Sequence, residues 1–118
     1  MNTLKNSVTL IGNLGKEVEL KELSNGNKVA RIVIATNDYY KNNKGEPITE
    51  TQWHNLVAWG KTAELMADKL SKGSEVAIQG KLVHRSYEDK DGNMRYISEV
   101  KVNEFMKVSR QEKEAVPF

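Results

Sequence analysis

The middle of the chain reads Trp53-His54-Asn55-Leu56-Val57-Ala58-Trp59-Gly60-Lys61, and this segment holds both tryptophans of the protein. Side chains of an extended strand alternate between two faces, so two tryptophans an even number of residues apart share one face. Two indole rings with a lysine beside them predict a platform on which nucleic-acid bases stack. A pair of core tryptophans is the alternative, and the segment taken alone favours that alternative.

Length and composition restrict the classes of protein that need to be considered. The 118 residues are enough for one domain with a single hydrophobic core. The absence of cysteine excludes disulfide frameworks, thiolate zinc sites and cysteine nucleophiles. No apolar run is typical of a signal peptide or a membrane span, so we expect a cytoplasmic protein without membrane contact. The net charge is only +2, but the positive excess lies in residues 1–45 and 61–85, which suggests a local basic track.

The order of predicted elements indicates a small barrel. Three strands, one helix and two strands are predicted, at residues 8–15, 29–36, 53–59, 61–70 (the helix), 75–87 and 95–102. Residues 18–23 alternate apolar and charged side chains, and residues 37–51 are expected to form a long exposed hairpin. This order predicts an all-β fold with one helix, namely an OB-fold, a five-stranded Greek-key β-barrel with its helix between strands 3 and 4. Meanders and other small barrels also fit the pattern. We expect the domain to span residues 1–108 and a short flexible tail to span 109–118.

Motifs for catalysis are incomplete. Gly60-Lys61-Thr62 resembles the end of a phosphate-binding loop, but Asn55 stands where that motif requires its first glycine. Thr62 is instead expected to cap the helix. The histidines, His54 and His84, lie on different predicted strands, without the spacing of a catalytic triad or a metal site. We therefore expect no enzymatic activity, no cofactor and no metal.

A basic and aromatic pattern supports the platform. In the strand at residues 75–87, one face is expected to face the core and carries Val76, Ile78, Gly80 and Leu82. The opposite face carries Gln79, Lys81, Val83, Arg85 and Tyr87. Cations that meet phosphates and a ring that meets a base indicate a nucleic-acid surface, although a solvated amphipathic strand has the same pattern. Tyr39 and Tyr40 lie at the mouth of the hairpin, where one of them is expected to face a ligand.

Together these residues resemble the bacterial single-stranded DNA-binding protein family of replication and repair. The similarity runs in register from about Asn6 to Val102. Its motifs are Asn6-x-Val8-x-Leu10-Ile11-Gly12-Asn13-Leu14-Gly15, Asn25-Gly26, Ile34-Ala35-Thr36, Trp53-His54-x-x-Val57-x-Trp59-Gly60-Lys61-x-Ala63-Glu64, Leu70-x-Lys72-Gly73-Ser74-x-Val76, Gly80-x-Leu82, Arg85, Gly92, Arg95-Tyr96 and Glu99-Val100.

The resemblance implies a homotetramer that wraps and protects single-stranded DNA, with little sequence preference, in replication, recombination and repair. The base-stacking positions of the family fall on Tyr40, Trp53, Trp59 and Tyr87; here tyrosines replace the common tryptophan at the first and last of these, and Trp59 replaces the usual phenylalanine. Positions that contact phosphates fall on Lys61, Lys72 and Arg85, and Arg31 is added to them from its strand position alone. His54 matches a position that resembles a subunit-interface residue, which favours a structural role. An adaptor OB-fold protein of the primosome type, acting mainly through protein contacts, is the alternative.

The end of the chain departs from the family pattern. Family members usually carry a long linker and an acidic tip ending in Ile-Pro-Phe, which recruits replication and repair proteins. This sequence ends in Val116, Pro117 and Phe118 about ten residues after the domain. A terminal Phe with its carboxylate could dock in an apolar pocket with a basic rim, so we expect a reduced recruiting tip. An ordinary frayed terminus is the alternative.

Overall fold

Strands enclose the core of the protein, as the alternating apolar residues predict. The structure is a computed structural model that describes residues 3–108. In that part of the chain there are six strands, one α-helix and a single 3₁₀ turn at Thr3–Lys5. The elements are β1 (Val8–Leu14), β2 (Glu19–Glu22), β3 (Lys28–Lys41), β4 (Pro47–Trp59), α1 (Gly60–Lys69), β5 (Glu75–Glu88) and β6 (Met94–Lys107).

Five of these strands close into a barrel in the order β1-β5-β6-β4-β3, because β3 also pairs with β1. The pairing of β4 with β6 is parallel and the other pairings are antiparallel. One parallel pairing is needed because strand directions cannot alternate strictly around a closed ring of five strands. The short strand β2 pairs with the same edge of β3 as β1 does, further along. The predicted OB-fold is therefore confirmed, with α1 between the third and fourth barrel strands.

The helix covers part of the barrel core with one apolar face. Ala63, Met66 and Leu70 are buried, as their spacing predicts, and pack with Ile32 and Leu56 of the barrel in one hydrophobic cluster. The prediction that Thr62 caps α1 is wrong, because the cap position is Trp59 and no side chain caps the helix there. The turn into α1 is instead made by a glycine at φ +59°, a conformation that other residues rarely adopt.

Both long hairpins continue beyond the barrel as two-stranded arms. The β3–β4 arm is paired as far as Lys41 and Pro47, which confirms the predicted hairpin at residues 37–51. The β5–β6 arm is paired out to Glu88 and Met94. Leu82 lies where β5 leaves the barrel and is 41% exposed, so its predicted place in the core is wrong, whereas Val76, Ile78 and Gly80 are buried.

Candidate nucleic-acid interface

One broad surface is formed by the outward-facing residues of β3, β4, β6 and β5, and we call it the outer face. Residues directly opposite each other in neighbouring strands point to the same side of a sheet. The register places Arg31 opposite Val57, Val57 opposite Lys101, and Lys101 opposite Lys81. The outer face is thus continuous over four strands.

Both tryptophans lie on the outer face, opposite Ala35 and Val29 of β3. Trp53 is 61% exposed and Trp59 is 43% exposed. Of the residues of β4 between them, Leu56, Val57 and Ala58 are buried, whereas Asn55 is exposed on the same face. A place for either indole in the core of the chain is therefore excluded.

The ring of Trp53 lies directly over a glycine backbone. A Cβ atom at Gly15 would be 2.6 Å from Cζ3 of Trp53, so only glycine leaves room for this ring position. The backbone at this point is fixed on both sides, since the Gly15 N–H donates to the Val33 carbonyl at 2.9 Å and the Gly73 N–H donates to the Leu14 carbonyl at 2.9 Å. These contacts also bring the exposed Lys72, next to Gly73 in the chain, to the Trp53 end of the outer face.

Lys61 occupies the opposite end of this surface. It is exposed and lies in the first turn of α1, two residues after Trp59. Of the two lysines predicted to contact phosphates, one therefore lies beside Trp59 in the chain and the other beside the segment that contacts Trp53.

Arg31 and Arg85 share a buried carboxylate that the sequence analysis did not select as a site residue. Nη1 of Arg31 donates to Oε2 of Glu99 at 3.3 Å, and Nε of Arg85 donates to Oε1 of the same residue at 2.9 Å. The guanidinium carbon of Arg85 lies 5.9 Å from the centre of the Tyr87 ring, within the range of a cation–π contact. A groove of about 470 Å³ runs between these groups, and Asn55 also lines it.

A signal for Glu99 was present in the sequence. Glu99 lies opposite Val83 on the face that carries Lys81 and Arg85, so it is an acid among cations of one face. The register between the returning strand and its partner was needed to recognise it, and the sequence did not provide that register.

Tyr40 does not lie on the outer face. The register pairs Tyr40 with Ile48 and Tyr39 with Thr49, so the neighbouring tyrosines point to opposite sides of the β3–β4 arm. Tyr39 is on the side of Trp53 and is 73% exposed, while Tyr40 is 50% exposed on the other side. The structure thus brings together Arg31, Trp53, Trp59, Arg85 and Tyr87 on one face, with Lys61 and Lys72 near its ends, and separates Tyr40 from them.

The tip of the β5–β6 arm is organised by one carboxylate. Oδ1 of Asp89 accepts the backbone N–H groups of Asp91 and Asn93, each at 2.9 Å, and Oδ2 accepts Nε of Arg95 at 2.7 Å. The Arg95 hydrogen bond, followed by that from Asn93, lowers the pKa of Asp89 below its usual value of 3.8. The turn is therefore held by a charged group at neutral pH.

Other sequence predictions concern residues away from this face. Nε2 of His54 is 2.9 Å from the Thr36 hydroxyl and half-buried, which agrees with a structural role. Residues 3–108 contain no group of three or more His, Asp or Glu side chains placed to hold a metal ion. Over the same range, no helix has the length and hydropathy needed to span a membrane. The predicted tip at Val116, Pro117 and Phe118 lies outside the described residues.

The barrel topology and the exposed aromatic and basic outer face define an OB-fold protein of the nucleic-acid-binding type. The model of the single-strand binding protein family matches residues 5–108, and the chain belongs to this family.

Solved structures agree with this assignment. The SSB of Plasmodium falciparum, solved in complex with ssDNA, has a TM-score of 0.79 and 30% sequence identity, over 88% of this chain and 95% of that chain. A deletion mutant of the single-stranded DNA binding protein from Thermus aquaticus has the same fold, with a TM-score of 0.78 at 22% identity. That match covers 90% of this chain and 51% of the Thermus chain, so this chain spans about half of its length.

Proposed function

We propose that this protein binds and protects single-stranded DNA, with little sequence preference, in replication, recombination and repair. The observation that carries the proposal is the pair of exposed indoles, Trp53 and Trp59, on the same face as Arg31 and Arg85. Membership of the single-strand binding protein family supports it, as does the likeness to the Plasmodium SSB solved with ssDNA.

The mechanism needs stacking and charge but no catalytic step. Exposed rings stack on unpaired bases with about 1–3 kcal/mol per base, and they tolerate any sequence because every base has a π-face. Lysine and arginine side chains replace counterions along the phosphates, which makes the affinity dependent on salt. In a duplex the base faces are already stacked on one another, so a surface that uses both interactions selects single strands.

A titration with oligo-dT tests the proposal directly. We expect the oligonucleotide to quench the tryptophan fluorescence, and we expect Trp59→Ala to weaken binding by about 1–3 kcal/mol, since one stacked base is lost. Trp59→Phe is the matched control, because it keeps an aromatic ring at the same position. Unchanged fluorescence at saturating oligonucleotide and low salt would refute the proposal. Equal affinity for duplex and single strands, or none for either, would favour the adaptor function instead.

The homotetramer is part of the same proposal. A row of apolar side chains crosses β1, β5 and β6 on the outer surface of the barrel, because Ile11 lies opposite Ala77 and Ala77 lies opposite Met106. Ile11 is 56% exposed and Met106 is 65% exposed, which leaves an apolar surface that contact with another subunit would cover. The cytoplasmic, nucleoid-associated location and the recruitment of replication and repair proteins rest on the family resemblance, and binding of DNA to the outer face does not depend on them.

A further inference from the structure

Glu99 differs from every other acidic residue that the structure describes. Among the side chains described, it is the one charged group that is buried, with 4% of its surface exposed. Its two carboxylate oxygens are each held by an arginine, and these arginines come from β3 and β5, on opposite sides of the groove. Buried charged groups in proteins are paired with opposite charges and hydrogen-bonded, as this carboxylate is by two arginines.

Most donors of the two arginines remain available. A guanidinium has five N–H donors, and Glu99 engages one nitrogen of each arginine. The side chains of Arg31 and Arg85 are still 47% and 40% exposed, so their outer edges face the solvent over the groove. The remaining donors of a guanidinium match the oxygens of a phosphate in spacing and direction.

We propose that Glu99 is a positioning residue for the bound strand: it fixes the guanidinium groups of Arg31 and Arg85 at the two sides of the groove, so that their outer N–H groups bind one phosphodiester between them. The inference rests on the proposed function and deepens it. Glu99 has a second effect, because its negative charge cancels one of the two positive charges. Glu99 thus fixes the positions of the two guanidinium groups but lowers the net positive charge that attracts the phosphates.

Two substitutions separate position from charge. Glu99→Gln removes the charge and one acceptor, so the arginines lose their fixed places while the groove gains one net positive charge. Glu99→Asp keeps the charge, but its side chain is one methylene shorter and cannot bridge both arginines. Glu104→Gln is the matched control: it removes the same charge from an exposed position on the same strand, about 16 Å further along β6, which exceeds a Debye length of about 10 Å.

The measurement is the affinity for a labelled single-stranded oligonucleotide as a function of salt, with the full-length protein. For Glu99→Gln we expect the slope of log affinity against log salt to steepen by about 0.7, which changes the ratio of mutant to wild-type affinity about fourfold between about 50 and 400 mM salt. The mutant should bind at least as tightly as wild type at low salt and more weakly at high salt. For Glu99→Asp we expect an unchanged slope and a loss of about two- to tenfold at every salt concentration.

Several results would overturn the inference. Glu99 is purely structural if both Glu99 variants lose affinity with the same salt slope as wild type and if the loss of each variant is proportional to its drop in melting temperature. If Glu104→Gln steepens the slope as much as Glu99→Gln does, total charge explains the effect.

If the Glu99 variants do not fold, Arg85→Lys tests the same point. It keeps the charge without the planar donors and should weaken binding at an unchanged slope. Wild-type affinity of Arg85→Lys would refute the positioning role. Absence of binding by the wild-type protein would instead contradict the proposed function itself.

Discussion

Replacing Gly15 with alanine should displace the ring of Trp53 and leave the rest of the outer face in place. The new Cβ would lie 2.6 Å from Cζ3 of the indole, and ordinary contact begins at 3.4 Å, so the ring must move by at least 0.8 Å (3.4 minus 2.6). The backbone of Gly15 does not have the positive φ that disfavours alanine, and its N–H is bonded to the Val33 carbonyl. We therefore expect the indole ring to move and the Gly15 backbone to stay in place.

The expected loss of affinity follows from the stacking energy. A gap of about 0.5–1 Å forfeits roughly a quarter to a half of a close-contact energy. Applied to a stacked base worth about 1–3 kcal/mol, this gives a loss of about 0.3–1.5 kcal/mol, or about two- to twelvefold in Kd. Gly15→Ala should thus weaken binding less than Trp53→Ala, which removes the whole ring.

The assay is the anisotropy of a labelled oligonucleotide, measured in two backgrounds. With Trp53 present, Gly15→Ala should weaken binding by the amount above. In the Trp53→Ala background the same substitution should leave the affinity unchanged, because there is no ring to displace. Adding Trp59→Phe leaves Trp53 as the single tryptophan, so its quenching by DNA reports the altered stack. Equal losses in both backgrounds would show that Gly15 acts through the backbone, and the reasoning would fail.

Two further predictions concern the arms. Tyr39→Ala should weaken binding of both short (about 8 nucleotides) and long oligonucleotides by about 1–3 kcal/mol. Tyr40→Ala should weaken binding only of strands long enough to pass around the arm. Equal losses at both lengths for Tyr40→Ala would contradict the assignment of faces. At the other arm, the lowered pKa of Asp89 means that its support of the turn is present above an ordinary pKa of 3.8 and is lost as the pH falls through the lower folded value. The amide resonance of Gly92 should report this transition in NMR spectra, and Asp89→Ala should abolish it; the same titration in the mutant would refute the role of Asp89.

Local patterns predicted the elements well because local physics determines them. The apolar spacing of Ala63, Met66 and Leu70 predicted one helix face, and α1 spans Gly60–Lys69 where residues 61–70 were expected. The even spacing of Trp53 and Trp59 placed both on one face, which the register confirms. These predictions need only the period of a helix or of a strand.

Predictions that depend on distant contacts were less complete. Arg31 and Glu99 are 68 positions apart in the chain, and they meet only because the barrel brings β3 and β6 to either side of β4. Leu82 continues the apolar alternation of its strand, yet it lies beyond the point where the barrel ends. The side of the arm on which Tyr40 lies depends on the pairing of Tyr40 with Ile48, which the polar hairpin sequence does not specify.

The net charge of +2 is small for a nucleic-acid binder, and the placement of charges explains how it can suffice. Two acidic groups away from the groove are paired with cations: Glu64 on α1 is 3.3 Å from Lys28, and Asp89 at the tip of the arm is 2.7 Å from Arg95. Glu99 lies within the outer face but is buried beneath two arginines, so a strand approaching the groove meets guanidinium groups first. Attraction of phosphates depends on the local field and not on the sum over the chain. Because the cations stand between exposed rings, we expect affinity to follow the positions of a few side chains more closely than the total charge, which is the distinction that the paired substitutions at Glu99 and Glu104 measure.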